Sequence, residues 1–391
     1  VEDSFEVGAR VRYWRDRRRL GRKQFADLVG RSTSWLDKVE SGERALERLP
    51  LIERVAEVLG IEPGVLTDRR AADRAQQCVD PTEVAAIRAA LGQYVDDDRP
   101  VDLAAVTRQA TYLDHAWLSS RFTVVARHLP SLMADARRAV VAAPDQLSAH
   151  RVKVSTYRLA SSVLVKFDST DLAWLAADRA MHAAQGVDDP WSLARATRSV
   201  ARAMGRTQQA VAVLTGVADR VRGQVVADEA DLLAVYGMLF LAASITAADL
   251  GDAGFAGEMH EQASAVAGRF EPHFADHQTC FGVANVRVHR VAALVRLGEP
   301  GKAIETARTI DPTGLTPERK ANLLLDLTEA HIAVAEHHRA AHVLAQAERV
   351  APEEVRCRPV AHGLVRTLLR HTTGAPAGLV AGIAERAGVA A

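Results

Sequence analysis

Apolar positions recur at helical spacing from the first residues of the chain. Val7, Val11 and Trp14 fall at i, i+4 and i+7 and predict a helix with one apolar stripe, broken at Gly21. A short second helix is predicted over Arg22 to Val29, with Phe25 and Leu28 inward. Gly30 stops it, because the turn needs a residue that tolerates positive φ. Ser32 is placed to cap a third helix running to about Ser41 and burying Leu36 and Val39. A fourth, near Leu51 to Leu59, buries Leu51, Ile52, Val55 and Leu59. Two short helices joined by a tight glycine turn, inside a compact helical unit, are the parts of a helix-turn-helix.

Beyond Pro81 the chain alternates helical stretches with short turns such as DDDRP (96–100), GVDDP (186–190), LGEPG (297–301) and DPTGLTP (311–317). That rhythm predicts paired helices stacked as an α-solenoid, with seven or eight pairs between 81 and 371. Some pairs are similar to tetratricopeptide repeats. VRLGEPGKAIETARTIDP (295–312) places Gly298, Ala303, Ala307 and Pro312 at the repeat's offsets, and EHHRAAHVLAQAERVAP (336–352) does so with Ala340, Leu344, Ala347 and Pro352. Ala303 and Ala340 are 37 residues apart rather than 34, so the repeats are degenerate. LGDAGFAGEMHEQASAVA (250–267) is a looser example.

The expected fold is all-α: a helix-turn-helix domain over 1–70, a polar linker over 71–81, a tetratricopeptide-like solenoid over 82–371 and a flexible Gly/Ala/Pro-rich tail over 372–391. Composition sharpens this division. Of 71 alanines, 67 lie in residues 71–391, where small side chains let helices approach closely. Cys78, Cys280 and Cys357 are too scattered for a disulfide framework, so a reducing, cytoplasmic compartment is expected. The opening VEDSFEV is acidic and has no apolar core, which speaks against a signal peptide. Leu232 to Ala248 is the most apolar stretch, but Gly237, Ser244 and Thr246 fit a buried helix better than a membrane span.

The run GRKQFADLVGRSTSWLDKVESGER resembles the Cro/Xre-type repressor helix-turn-helix. Phe25–Ala26, Gly30, Ser32, Leu36, Val39, Glu40 and Gly42 carry the match, while Gly21, Arg22 and Arg31 depart from it. The resemblance implies an internal ion pair between Arg15 and Glu40. With its repeats, the whole chain resembles actinobacterial Cro/Xre-type regulators with a tetratricopeptide-like C-terminal domain. LAWLAADRAMHAA (172–184), FGVANVRVH (281–289) and APEEVRCRPV (351–360) carry that likeness, although Val283 and Ala284 depart from the family pattern. In outline it is also similar to the peptide-pheromone receptors of Gram-positive bacteria.

The residues themselves point the same way. Thr33, Ser34, Asp37 and Lys38 face away from Leu36 and Val39, where short hydroxyls and a lysine can reach base edges. Ser32 and Thr33 bring the helix N-terminus toward phosphate. Arg22, Gln24, Ser41 and Arg44 complete the candidate DNA surface, whereas Trp35 is expected to pack. From Arg10 to Lys23 there are eight basic residues against Asp16 alone, a patch that can neutralise phosphates, although half of those arginines are expected to be simply solvated. Residues 1–70 together carry 15 basic and 13 acidic side chains, a weak field that a homodimer on a palindromic operator would strengthen.

No phosphate-binding loop, dinucleotide fingerprint, nucleophile elbow or zinc-protease motif occurs, so neither an enzyme nor a cofactor is expected. His273, His277 and Cys280, and separately His338 and His342, have metal-like spacing but lack a fourth ligand, and no metal is expected. The inner face of the solenoid is the better candidate for a peptide or small-molecule effector. Asn285 and His289 lie one turn apart, with Asn322 and Tyr236 on neighbouring inner helices. Two functions compete: a ligand-sensing DNA-binding regulator, and a protein-interaction adaptor in which DNA binding is secondary.

Overall fold

The computed structural model describes residues 2–68, 78–94, 99–225, 229–271, 275–276 and 278–389, with side chains from Glu6 onward. It divides into two compact units, one ending at Thr82 and the other starting at Glu83.

The first unit is built from α1 (Glu2–Arg17), α2 (Arg22–Val29), α3 (Thr33–Glu40), α4 (Leu49–Leu59) and α5 (Pro63–Thr67). Val11, Trp14, Phe25, Leu36, Val55, Leu59 and Leu66 form its closed core. α1 ends before Gly21: Arg19 takes a left-handed φ of 55° and turns the chain. Gly30 (φ 73°) stops α2 as expected. Leu28, predicted inward, is 45% exposed, and Val29 fills the core instead. The reason is the narrow face of a two-turn helix: Phe25, Ala26 and Val29 cover it, and Leu28 falls outside. Gly8 lets α1 settle directly on the end of α3, since a Cβ there would lie 2.0 Å from the Val39 carbonyl oxygen.

The unit boundary falls within α6 (Pro81–Leu91). The second unit then pairs α7 (Leu103–Leu118) with α8 (Phe122–Ala142), and α9 (Gln146–Lys166) with α10 (Thr170–Gln185). α11 (Pro190–Met204) pairs with α12 (Gln208–Val221), and α13 (Ala230–Asp249) with α14 (Ala253–Ala267). α15 (Val283–Arg296) pairs with α16 (Pro300–Ala307), and α17 (Pro317–Ala333) with α18 (His337–Val350). The short α19 (Pro352–Arg356) leads to a last pair, α20 (Pro359–His371) and α21 (Ala375–Ala387).

The first helices of successive pairs, α7, α9, α11, α13, α15 and α17, pack on one another in order and form an inner row. That is solenoid packing, and alanine makes it possible: Ala173, Ala176, Ala194, Ala303, Ala340 and Ala347 are fully buried between helices. Gly298 turns α15 into α16 with a φ of 73°. α13 is long and apolar enough to cross a membrane, but 72% of its apolar window is buried, because α11, α12, α14 and α15 surround it.

The expected flexible tail is instead a helix. α21 buries Val380, Ile383 and Ala384 against α18 and α20, and Arg386 binds Glu348 at 2.7 Å. Its alanines act as helix formers with an apolar stripe, which outweighs the two glycines and the proline within it.

The inner row closes on itself. Thr123, at the start of α8, binds Glu353 of α19 through its backbone N–H (2.9 Å) and its hydroxyl (3.0 Å). Ser120 donates to Glu354 at 3.3 Å, and Lys166 of α9 reaches both Glu318 of α17 and Glu354 of α19. Trp117 and Phe122 rings lie 4.5 and 4.2 Å from the Lys166 ammonium.

Candidate functional site

α3 presents the helix-turn-helix surface. Ser32 caps it, accepting from the Trp35 N–H at 3.1 Å, which fixes its first turn. Its far end is clamped by Arg15, whose Nε lies 2.6 Å and Nη2 3.1 Å from the two oxygens of Glu40. The hydrogen bond to Glu40 raises the Arg15 pKa although burial works against it. The same guanidinium caps the α1 turn by donating to the Leu20 carbonyl at 3.0 Å.

With both ends held and Trp35, Leu36 and Val39 inward, the other face is open. Arg22, Gln24, Ser32, Thr33, Ser34, Asp37, Lys38, Ser41 and Arg44 are all exposed. Asp37 lies 3.7 Å from Arg22, an exposed pair of small energetic weight. The Arg10–Lys23 run divides as its positions around the helix require. Arg10 donates to the Leu66 carbonyl at 2.8 Å, Arg17 to the Cys78 carbonyl at 3.0 Å, and Arg18 to the Leu59 carbonyl at 2.7 Å. Arg17 and Arg18 also lie 4.7 and 5.0 Å from the Trp14 ring. Together with Arg15 these cations hold the unit together, while Arg12, Arg19, Arg22 and Lys23 remain at the surface.

The second unit encloses a cavity of about 540 Å³, bounded mainly by the inner helices. Nine cations and four carboxylates line it among the described residues. Arg158 and Lys166 come from α9, Arg296 from α15 and Arg319 from α17, with Arg206 and Arg358 beside helix ends. α11 contributes three more, Arg195, Arg198 and Arg202, on successive turns. The carboxylates are Asp249, Glu318, Asp326 and Glu329.

Most of these charges answer one another. Arg158 pairs with Asp114, and Arg296 lies 3.3 Å from Asp249. Arg358 bonds Glu354 at 2.6 Å and Asn322 at 2.8 Å. Burial pushes the Glu318 carboxyl up, but Arg319 and Lys166 outweigh it and hold the group far below the usual carboxylate range. Burial raises Asp326 to about 6, with Arg296 opposing.

The four predicted ligand residues separate. His289 and Asn322 line the cavity, whereas Tyr236 and Asn285 do not. Tyr236 is 8% exposed and packs edge-on against Phe240, with ring centres 4.9 Å apart. Asn285 is 1% exposed and points at Met238, 3.8 Å from its sulfur. Four residues along a helix turn its face by about 40°, enough to put Asn285 in the core and His289 at the cavity. His289 Nδ1 donates to the Asn285 carbonyl at 2.9 Å, and burial, reinforced by Arg319, lowers its pKa to about 3. Asn322 is engaged twice over, donating to Glu318 Oε1 at 2.7 Å and accepting from Arg358.

The α11 arginines escaped sequence reading, although their i, i+3, i+7 spacing was visible. Among the described residues no group of three His, Cys, Asp or Glu is arranged to hold a metal. His273 and His277 lie outside those residues, Cys280 is buried near Thr316, and His338 and His342 are exposed.

No curated protein sequence is significantly similar to the chain. Among solved structures, it is similar to the apo form of the competence regulator ComR from Streptococcus vestibularis at 12% identity and a TM-score of 0.33, covering 83% of this chain and 98% of that one. ComR from S. thermophilus in complex with DNA and its signalling peptide ComS shows 13% identity and a TM-score of 0.25, over 93% of this chain and 99% of that one. Residues 6–69 match the family described as "Helix-turn-helix domain", and this part of the chain is a helix-turn-helix domain.

Proposed function

We propose that the chain is a sequence-specific DNA-binding transcription regulator. α3 enters the major groove, with Thr33, Ser34 and Lys38 toward base edges and Arg22 and Arg44 on phosphates. Gln24, Ser32 and Ser41 add polar contacts at the groove margin, and Asp37 orients Arg22 or accepts from cytosine. Two copies act as a homodimer on a palindromic operator, and the inner cavity of the helical unit senses a peptide or small-molecule effector. The observation that carries this reading is a recognition helix capped by Ser32, clamped through Arg15 and Glu40, and left polar and open on its outer face.

A gel-shift series at increasing salt on an operator found by genome-wide binding-site mapping tests it. Affinity is expected to fall steeply with salt, with a log–log slope of about −0.9 per phosphate contact. Salt-independent binding overturns the proposal. So does the failure to recover any operator together with stoichiometric capture of one partner protein, which is the adaptor reading.

A further inference from the structure

We propose that the arginine face of α11 binds a small organic anion, a molecule with carboxylate or phosphate oxygens at one end and an apolar body at the other. This deepens the effector-sensing reading by naming the effector's chemistry, and it stands or falls separately from DNA binding.

The cations around the cavity differ in their counter-charges. Arg158, Lys166, Arg296 and Arg358 each have a carboxylate within ion-pair distance, and Arg319 lies beside Glu318. The α11 face differs. Arg195 is 1% exposed, yet its close partners are neutral, the amide oxygen of Gln278 and the Trp191 ring 4.5 Å away, and its Nε has no partner. Among the described residues the side chains of Arg198 and Arg202 have neither a hydrogen bond nor an ion pair, although Glu318 and Glu354 act on Arg202 from farther off, and the buried Nε of Arg198 is likewise unpartnered.

Arg195 is buried and Arg198 half-buried, and guanidinium groups withdrawn from water without a counter-ion are costly; Arg202, at the exposed end of the row, adds to their mutual repulsion. Burial, with Arg319 and Arg158 adding to it, drives the Arg198 pKa well below its ordinary value. Burial lowers Arg195 to about 10, with Arg158 adding to the effect. A ligand anion relieves both penalties. The planar guanidinium fork matches a carboxylate or a phosphate with two parallel hydrogen bonds. At ~1.5 Å of rise per residue the three arginines span about 10 Å, so a multi-oxygen head group can be gripped from successive turns.

The remaining walls set the rest of the molecule. Ile245, Ala242, Val288, Ala292 and Leu325 give the cavity an apolar side, which suits a hydrocarbon body. Its volume of about 540 Å³ falls within the ~300–1,000 Å³ typical of small-molecule sites. An extended peptide is the poorer fit. Reading a peptide backbone calls for free side-chain amides, and here Asn285 is turned into the core while Asn322 is held by Glu318 and Arg358.

Calorimetric titration and thermal melting of the full chain, with octanoate and octyl phosphate as probes, test the assignment. Octanol is the neutral control, sodium sulfate at matched ionic strength the salt control, and hexaglutamate the peptide control. At least one amphipathic anion is expected to bind and raise the melting temperature, and which one does so separates carboxylate from phosphate recognition. Arg198→Gln and Arg202→Gln are each expected to weaken that binding tenfold or more while leaving the unliganded melting temperature unchanged or higher, because repulsion is relieved. Equal stabilisation by octanol or sulfate overturns the proposal, as does binding of hexaglutamate alone. Wild-type affinity in Arg198→Gln also overturns it, as does loss of unliganded stability in both variants, since either makes the arginines purely structural. The wild-type titration decides the question even if a variant does not fold.

Discussion

The ammonium of Lys166 lies 3.2 Å from Oε1 of Glu318, 152 residues further along the chain, and it also bonds Glu354 in α19. One buried lysine thereby joins an early helix of the solenoid to its last turns, and the inner row becomes a closed wall around the arginine cavity. A buried cation bridging two buried carboxylates is a high-stakes arrangement: complete, it holds the geometry, and broken, it leaves unpaired charge in the core.

Lys166→Met is therefore expected to destabilise the helical unit by about 3 kcal/mol, the lower end for breaking a buried pair, because Arg319 and Arg358 still face the carboxylates. Urea denaturation monitored by tryptophan fluorescence measures it. Lys166→Met combined with Glu318→Gln is expected to recover part of the loss. An unchanged urea midpoint in the single variant means that the closure contributes no stability.

Acid is expected to weaken the second unit, and the sign can be worked group by group. His289 has its pKa lowered to about 3, so between pH 6.5 and 3 the unfolded chain takes up a proton that the folded chain refuses. That contribution is present in full above 6.5 and lost as pH falls. Glu318, depressed by Arg319 and Lys166 in spite of its burial, acts in the same direction below 4.5. Asp326, raised to about 6, partly offsets both by taking its proton first in the folded state. Urea midpoints at pH 7.5 and 5 in wild type and His289→Leu check this, and the slope with pH is expected to flatten in the variant.

Gly8→Ala tests the seating of α1 on α3. The new methyl would lie 2.0 Å from the Val39 carbonyl oxygen, so the backbone of one helix must move, at a cost of about 1–3 kcal/mol. Gly64→Ala is the matched control: nothing lies within 4 Å, and alanine in α5 is expected to stabilise by about 0.5–1 kcal/mol. Thermal melts of both variants read the contrast. Equal behaviour would show that the close approach of α1 to Val39 is not maintained in solution.

Lys38→Ala and Arg44→Ala separate base reading from phosphate contact. Loss of Lys38 is expected to relax preference at one operator position, by about 1 kcal/mol or more. Loss of Arg44 is expected to weaken all sequences alike and reduce the salt slope by about 1. Binding profiles over randomised operators make the comparison, and identical profiles for the two variants contradict the assignment.

Much of the first unit was legible because its signals are local. The Ser32 cap, the Gly30 stop and the inward Phe25, Leu36 and Val39 follow from spacing within a few turns, and each stands where expected. Leu28 misled because a helix of two turns has room for only one narrow buried face, and adjacent apolar residues compete for it. The Arg10–Lys23 run shows the limit of charge counting. Arg10, Arg17 and Arg18 act as clamps because Leu66, Cys78 and Leu59 carbonyls come within reach, and nothing in the run itself discloses that.

For the second unit, alanine-rich helical periods are enough to dictate stacked helix pairs, since close helix approach needs small residues at local spacing. Which face of each helix turns inward, and what it meets there, depends on partners from other helix pairs that are distant along the chain. That is why Asn285 lost its place at the cavity, why Tyr236 became core, and why Arg195, Arg198 and Arg202 came together with too few carboxylates. Local periodicity determined the helices and their order; only the tertiary structure decided where the charges meet, because Coulomb interactions and burial depend on distance in space and not along the chain.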